Sequence, residues 1–181
     1  MKFILFILSF ILWTNVYSQK WLDNTCPIEK NITKTDYIST KANNLLTLVI
    51  DQEGKLVVNG DQKKNIAEIE FKEMVYEFLI NPERDKSKAS SPKDAIIAIS
   101  SYGEYPEYDL ILTYIREVYL YAWDLSAKEK YSSTYAELEC RKRTKIRQNN
   151  FPYRVFEMDK ESPKKNNTYP VPSFDGDVID N

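Results

Sequence analysis

Residues 45–60, with the sequence LLTLVIDQEGKLVVNG, decide the fold of this chain. Two apolar runs that are rich in strand-forming residues, 45–50 and 55–59, flank a typical turn sequence at 51–54. Short apolar runs on either side of a glycine-containing turn predict a β-hairpin.

Two helices are predicted after the hairpin. A second turn at 59–61 is followed by Asp61 or Asn65 as the cap of the first helix, which extends from Asn65 to Ile80. The second helix either continues beyond Ser126 or breaks there and resumes through 131–147. The apolar stripe of the first helix contains Ile66, Ile69, Phe71, Met74, Val75, Phe78 and Leu79, and that of the second contains Ile111, Tyr114, Ile115, Val118, Ala122 and Leu125.

Two further strands are predicted. Residues 94–100 are nearly all apolar and indicate a central strand that is covered on both faces. Residues 151–158 indicate a last strand, which Pro152 places at a sheet edge or at the beginning of the strand. The order of hairpin, helix, strand, helix and strand predicts an α+β domain at 45–158, a small mixed β-sheet with two helices on one face.

The two ends of the chain differ from this domain. Residues 1–18 contain a lysine, an apolar segment without any acidic residue and a terminal serine, which is typical of an export signal cleaved after Ser18. The apolar run is short for a membrane span, which needs about 20 residues. The alternative is an uncleaved N-terminal anchor. The polar segment 19–44 is predicted to be an extended lead-in, and 159–181 a disordered tail.

Composition excludes several kinds of chemistry. The chain has no histidine, so it cannot build a histidine general base, a catalytic triad of that type or a histidine-ligated metal site.

The two cysteines, Cys26 and Cys140, either form one disulfide, which an exporting pathway would allow, or remain two unpaired thiols. The acidic tail segment 174–180 lacks the pattern of a calcium-binding loop and is predicted to be solvated. We assign no catalytic residue, cofactor or metal ligand.

A resemblance to a known family rests on the order and spacing of several motifs. They are the hairpin end at 56–60 (LVVNG), the helix end at 78–82 (FLINP), the strand at 95–99 (AIIAI), and Tyr121-Ala122-Trp123-Asp124 followed by Lys130-Tyr131 in the long helix. In these motifs, residues 45–158 resemble the periplasmic domain of the ExbD/TolR family of biopolymer transport proteins.

The resemblance implies a dimer and a role in machines that use proton-motive force at the cell envelope. ExbD proteins act there with an ExbB-like channel and a TonB-like transducer, whereas TolR proteins contact cell-wall polymer. The family's intramembrane carboxylate has no counterpart in the apolar segment 3–17, so we expect no proton conduction by this chain alone. The expectation is a non-enzymatic periplasmic homodimer that acts by protein–protein contact, without nucleic acid. The alternative is a secreted or periplasmic binding protein for cell-wall glycan or a small ligand, outside any transport complex.

Three features are candidate partner sites, each with a structural alternative. Tyrosines at 102, 105 and 108 offer a contact surface, or they pack their rings on the sheet. A basic cluster near the end of the last helix could bind an acidic partner, anionic lipid or wall polymer. The structural alternative is that the cluster is solvated and lies beside the helix C-terminus, where positive charge is favourable. The last strand offers an edge for pairing. The residues concerned are Tyr102, Tyr105, Tyr108, Arg141, Lys142, Arg143, Lys145, Arg147, Tyr153 and Val155.

Overall fold

The computed structural model describes residues 26–29, 32–64 and 66–158. The predicted signal peptide at 1–18, the first part of the lead-in and the predicted tail at 159–181 lie outside the described residues. The helices are α1 (Lys34–Ser39), α2 (Glu68–Ile80), α3 (Pro106–Tyr131) and α4 (Cys140–Asn149). The strands are β1 (Leu45–Ile50), β2 (Leu56–Val58), β3 (Asp61–Gln62), β4 (Ile96–Ser101) and β5 (Val155–Glu157), and short 3₁₀ turns lie at Ala42–Asn44 and Tyr135–Glu137.

The five strands form one mixed sheet in the order β3-β2-β1-β4-β5. β1 is antiparallel to β2 and parallel to β4, β2 is antiparallel to β3, and β5 is parallel to β4. Helix α2 connects β3 to β4, and α3 and α4 lie between β4 and β5. The predicted fold class, a small α+β domain with a mixed sheet, is confirmed.

The core lies between one face of the sheet and the helices α2 and α3. Alternate residues of β1 point into it, and the register places Leu46 beside Ile97 and Leu48 beside Ile99. Ile96 and Ala98 of β4 are also fully buried, although alternation points them to the opposite face. The central strand is therefore covered on both faces, as its apolar sequence predicts.

The lead-in contributes helix α1 to that opposite face. Tyr37 stacks on Phe156 of β5 with ring centroids 5.3 Å apart. The segment was predicted to be extended, but Thr33 and Asp36 form a capping box that begins a short helix.

The turn at Asn59 and Gly60 joins β2 to β3. Both residues have positive φ angles, 49° and 88°, which is the geometry of a two-residue hairpin turn. Asn59 also accepts a hydrogen bond from the amide of Thr47, at 2.9 Å, and so holds the turn against β1. The sequence predicts this turn but not the short strand β3 that follows, and Asp61 lies in β3 rather than capping α2. The N-cap of α2 is Ala67, without a side-chain hydrogen bond, and Asn65 lies outside the described residues.

Helix α3 does not break near Ser126. That residue is buried within the helix, which ends at Tyr131, and Ser132 adopts a left-handed conformation with φ of 51°. A capping box formed by Thr134 and Glu137 then begins the next turn, before α4 starts at Cys140. The predicted alternative of a break at Ser126 is therefore wrong.

Helices α2 and α3 pack side by side in the same direction. Lys72 forms ion pairs with Glu68 and Glu117, and the ring of Tyr76 meets that of Tyr121 at 5.5 Å.

The predicted apolar stripes are wider than the faces that the helices bury. Ile69 is 65% exposed and Leu125 is 39% exposed. Ile69 is excluded from the core because it lies two residues before the buried Phe71, about 200° away around the helix.

We expect Phe71→Ala to lower the free energy of unfolding by about 3–5 kcal/mol, because Phe71 is fully buried in the core. Ile69→Ala, on the same helix, is the matched control, and its effect should stay within about 0.5 kcal/mol because the side chain is exposed. Urea unfolding followed by tryptophan fluorescence measures both. Equal losses of stability would show that the assignment of the buried face of α2 is wrong.

Candidate functional site

The three predicted tyrosines do not form one exposed surface. Tyr102 is 50% exposed, whereas Tyr108 is buried, and burial raises the pKa of Tyr108 to about 12. The hydroxyl of Tyr105 donates to the carbonyl of Gln52 at 2.6 Å. The Tyr105 ring lies so close to Gly54 and Gly103 that a Cβ at either position would come within 3.3 Å and 3.1 Å of it. Tyr105 therefore fastens the β4–α3 loop to the β1–β2 turn, Tyr108 belongs to the core, and of the three only Tyr102 is largely exposed.

The basic cluster of α4 divides into exposed and structural residues. Arg141 and Lys145 are exposed, and Lys142 is half-buried and forms an ion pair with Glu139 at 3.3 Å. Arg143 donates to the carbonyls of Leu138 and Ala136 at 2.7 and 2.6 Å. Arg147 is only 2% exposed and does not face a partner. The predicted five-residue basic surface is therefore reduced to Arg141, Lys145 and, in part, Lys142.

Arg147 joins the lead-in to α4. Its guanidinium donates to Glu29 at 3.2 Å, to the hydroxyl of Tyr135 at 2.6 Å and to the carbonyl of Pro27 at 3.1 Å. A disulfide between Cys26 and Cys140, whose Cα atoms are 5.3 Å apart, joins the same two segments covalently. A disulfide that closes a loop of this length is worth about 4–5 kcal/mol in the chain-entropy model.

The last strand is at the edge of the sheet. β5 pairs with β4 and is the terminal strand in the sheet order. The side chains of Tyr153 and Val155 are buried in the core, so they are not partner-contact residues, contrary to the candidate list. Burial raises the pKa of Tyr153 to about 12. What β5 presents outward is its backbone.

A cleft that the sequence did not predict lies at the end of the sheet where β1 stops. Its volume is about 480 Å³, within the range of small-molecule and peptide-anchor sites. We name it the lysine-rimmed cleft. Its rim carries Lys55, Lys63 and Lys64, its floor is formed by Ile50, Leu56, Phe71 and Ile111, and its remaining lining residues are Gly54, Ile66, Glu68, Glu107, Leu110 and Tyr114.

The charge balance of this cleft favours an anionic ligand. Glu68 shares Lys72 with Glu117, and the hydrogen bond from Lys72 is the main cause of the lowered pKa of the Glu68 carboxyl. Among the described residues, none of the three rim lysines forms an ion pair. Glu107 is the other acid of the lining. The rim therefore combines three lysine ammonium groups with an apolar floor, and Lys55 also attracts the nearby carboxylate of Asp51.

The local sequence offers only a weak indication of this cleft. Lys55 belongs to the β1–β2 turn, whereas Lys63 and Lys64 follow β3. They meet around one opening because the short strand β3 folds back on β2, and that strand gives no periodic signal of its own. The adjacent pair at 63–64 was the available hint, since it follows a turn and precedes an apolar helix.

The described residues offer neither a metal site nor a membrane span. Within the part of the chain that the structure describes, there is no group of three or more acidic or cysteine side chains placed to hold a metal ion. None of the helices in the described ranges combines the length and the hydropathy that a bilayer crossing requires.

Comparisons with protein-family models, with curated proteins and with solved structures found no match. The resemblance to the ExbD/TolR family therefore has no support from these comparisons.

We expect Arg147→Ala to destabilise the fold by about 3 kcal/mol, because it leaves the buried hydroxyl of Tyr135 and the carbonyl of Pro27 without their donor. Arg141→Ala on the same helix is the control, and it should change the free energy of unfolding by less than about 0.5 kcal/mol. Urea unfolding under oxidising conditions keeps the disulfide intact in both variants. If the two arginines prove equivalent, Arg147 does not connect the lead-in to α4 as described.

Proposed function

We propose that this chain is a non-enzymatic ExbD/TolR-like protein of the cell envelope. It acts by protein–protein contact in a biopolymer transport system linked to proton-motive force, as a homodimer and with ExbB-like channel or TonB-like transducer components. It is exported by residues 1–18 and works in the periplasm. The observation that carries the proposal is the position of β5 as the terminal strand of the sheet.

The backbone of β5 is oriented for strand pairing. The carbonyl of Arg154 accepts from the amide of Ile97, and the amide of Met158 donates to the carbonyl of Ile99. Since alternate residues of a strand point their backbone groups to opposite sides, the amide of Glu157 is directed to the outer edge of the sheet. An edge of this kind can add a strand from a second copy or from a partner.

The order of the elements is a second support. A hairpin, a helix, a parallel strand, a long helix and a final parallel strand follow one another in the structure. This is the arrangement that the sequence resemblance implies for a periplasmic domain of the ExbD/TolR type.

We expect Glu157→Pro to weaken dimerisation at least about tenfold, because proline removes an outward-facing amide from the edge strand while the bonds to β4 remain. Glu157→Ala is the matched control, since it loses the same carboxylate but keeps the amide. Sedimentation velocity over a range of concentrations gives the dissociation constant of each variant. A monomeric wild-type chain, together with a pull-down that recovers no inner-membrane component, would contradict the proposal.

The lysine-rimmed cleft favours the alternative function, a periplasmic protein that binds cell-wall glycan or a small ligand. The cleft is concave and combines cationic side chains with an apolar floor. These properties suit a small anionic ligand better than they suit the flat surface of a protein partner.

This alternative predicts that the chain is retained on insoluble peptidoglycan and that Lys55→Glu/Lys63→Glu/Lys64→Glu reduces the retained fraction about tenfold. The control Lys34→Glu/Lys86→Glu/Lys93→Glu changes the net charge equally at exposed positions outside the cleft. Co-sedimentation of each variant with purified wall material measures retention. If the two triple variants are retained equally, the cleft is not a glycan site.

A further inference from the structure

The lysine-rimmed cleft lies at the end of the sheet where the described chain stops. β1, β4 and β5 are parallel, so Ile50, Ser101 and Glu157 are near the same end of their strands. Ile50 lines the cleft, and Met158 is the last described residue. The segment that begins at 159 therefore starts on the side of the molecule where the cleft opens.

The remaining segment carries a sequence that complements the cleft. Residues 174–180, FDGDVID, contain three aspartates, three large apolar residues and no lysine or arginine. The aspartates match the three rim lysines in number and are opposite in charge. Phe174, Val178 and Ile179 are suited to the apolar floor of Leu56, Phe71 and Ile111.

The connecting segment is long enough for the two to meet. Adjacent strands are about 4.8 Å apart, so the three steps from β5 to β2 cover about 14 Å. The sixteen residues 159–174 reach up to about 50 Å when extended. Closing a loop of this length costs little more free energy than closing a shorter one.

We propose that residues 174–180 of the chain bind in its own lysine-rimmed cleft. The aspartates pair with Lys55, Lys63 and Lys64, and an apolar side chain of the segment contacts the floor. An acidic peptide of a partner competes with residues 174–180 for the same lysines.

Zero-length carbodiimide cross-linking of the full chain tests the placement. The reagent joins a lysine amine to an aspartate carboxyl only when the two are in contact. We expect amide links from Lys55, Lys63 or Lys64 to Asp175, Asp177 or Asp180, about tenfold more abundant than links from Lys34, Lys86 or Lys93. The links should decrease at 1 M salt, where charges are screened beyond about 3 Å. Equal abundance at cleft and control lysines would overturn the proposal.

Mixing isotopically light and heavy chains before cross-linking distinguishes the two possible sources of the segment. Links within one isotope only are expected for binding within the same chain. Links between light and heavy chains in the proportions of random mixing would overturn intramolecular binding and assign the segment to a second copy.

Chymotrypsin cleavage after Phe174 is an independent readout on the intact chain. In Lys55→Glu/Lys63→Glu/Lys64→Glu we expect cleavage about tenfold faster than in the wild type, because three ion pairs of modest individual strength are lost together. Lys34→Glu/Lys86→Glu/Lys93→Glu should be cleaved at the wild-type rate, and circular dichroism verifies that both variants are folded. Equal cleavage rates in the cleft variant and the wild type would show that the rim lysines do not protect Phe174 from cleavage.

Discussion

The parallel pairing of β1 with β4 is the constraint on which the rest of the structure depends. The two strands are in register over six residue pairs, from Leu45 with Ile96 to Ile50 with Ser101. A parallel pair cannot be joined by a tight turn and needs a crossover, which is why α2 lies between β3 and β4. β4 tolerates burial on both faces because it is apolar at every position from Ile96 to Ile99.

The same constraint sets the direction of the helices and the position of the cleft. β4 and β5 are parallel as well, so α3 returns the chain in the same direction as α2. The contacts of Lys72 with Glu117 and of Tyr76 with Tyr121 follow from this parallel alignment. Both helices begin at the end of the sheet where β1 stops, and the lysine-rimmed cleft lies between their first turns and the β1–β2 turn. The topology thus produces an opening at this end of the sheet, and the rim lysines make it favour an anionic ligand.

The sequence predicts those elements whose signal is local. The apolar runs at 45–50 and 94–100, the Asn59-Gly60 turn and the two long helices each carry a period or a turn residue of their own, and the structure has all of them. The short strand β3 carries no such signal, and the local signal of α1 is limited to the capping box of Thr33 and Asp36. β3 has two residues and exists because Val57 and Val58 provide a partner strand. The exposed Ile69 shows the limit of periodicity, since apolar residues alone do not say where a buried face ends.

The site residues were harder to predict for the same physical reason. Arg141 and Arg147 have the same charge and lie on the same helix, yet one is exposed and the other is buried. What separates them is Glu29, which lies 118 residues away from Arg147 along the chain. Long-range pairing of this kind depends on the assembled fold and leaves no trace in local spacing.

The connection between the lead-in and α4 bears on how the domain would serve as a contact module. The disulfide at Cys26 and the hydrogen bonds of Arg147 act on one short segment, residues 26–29. Force applied to the chain before Cys26 is transmitted through the disulfide to α4, because the covalent bridge bypasses α1 and β1. The covalent path from Cys26 to α4 therefore passes through none of the strands β1 to β4.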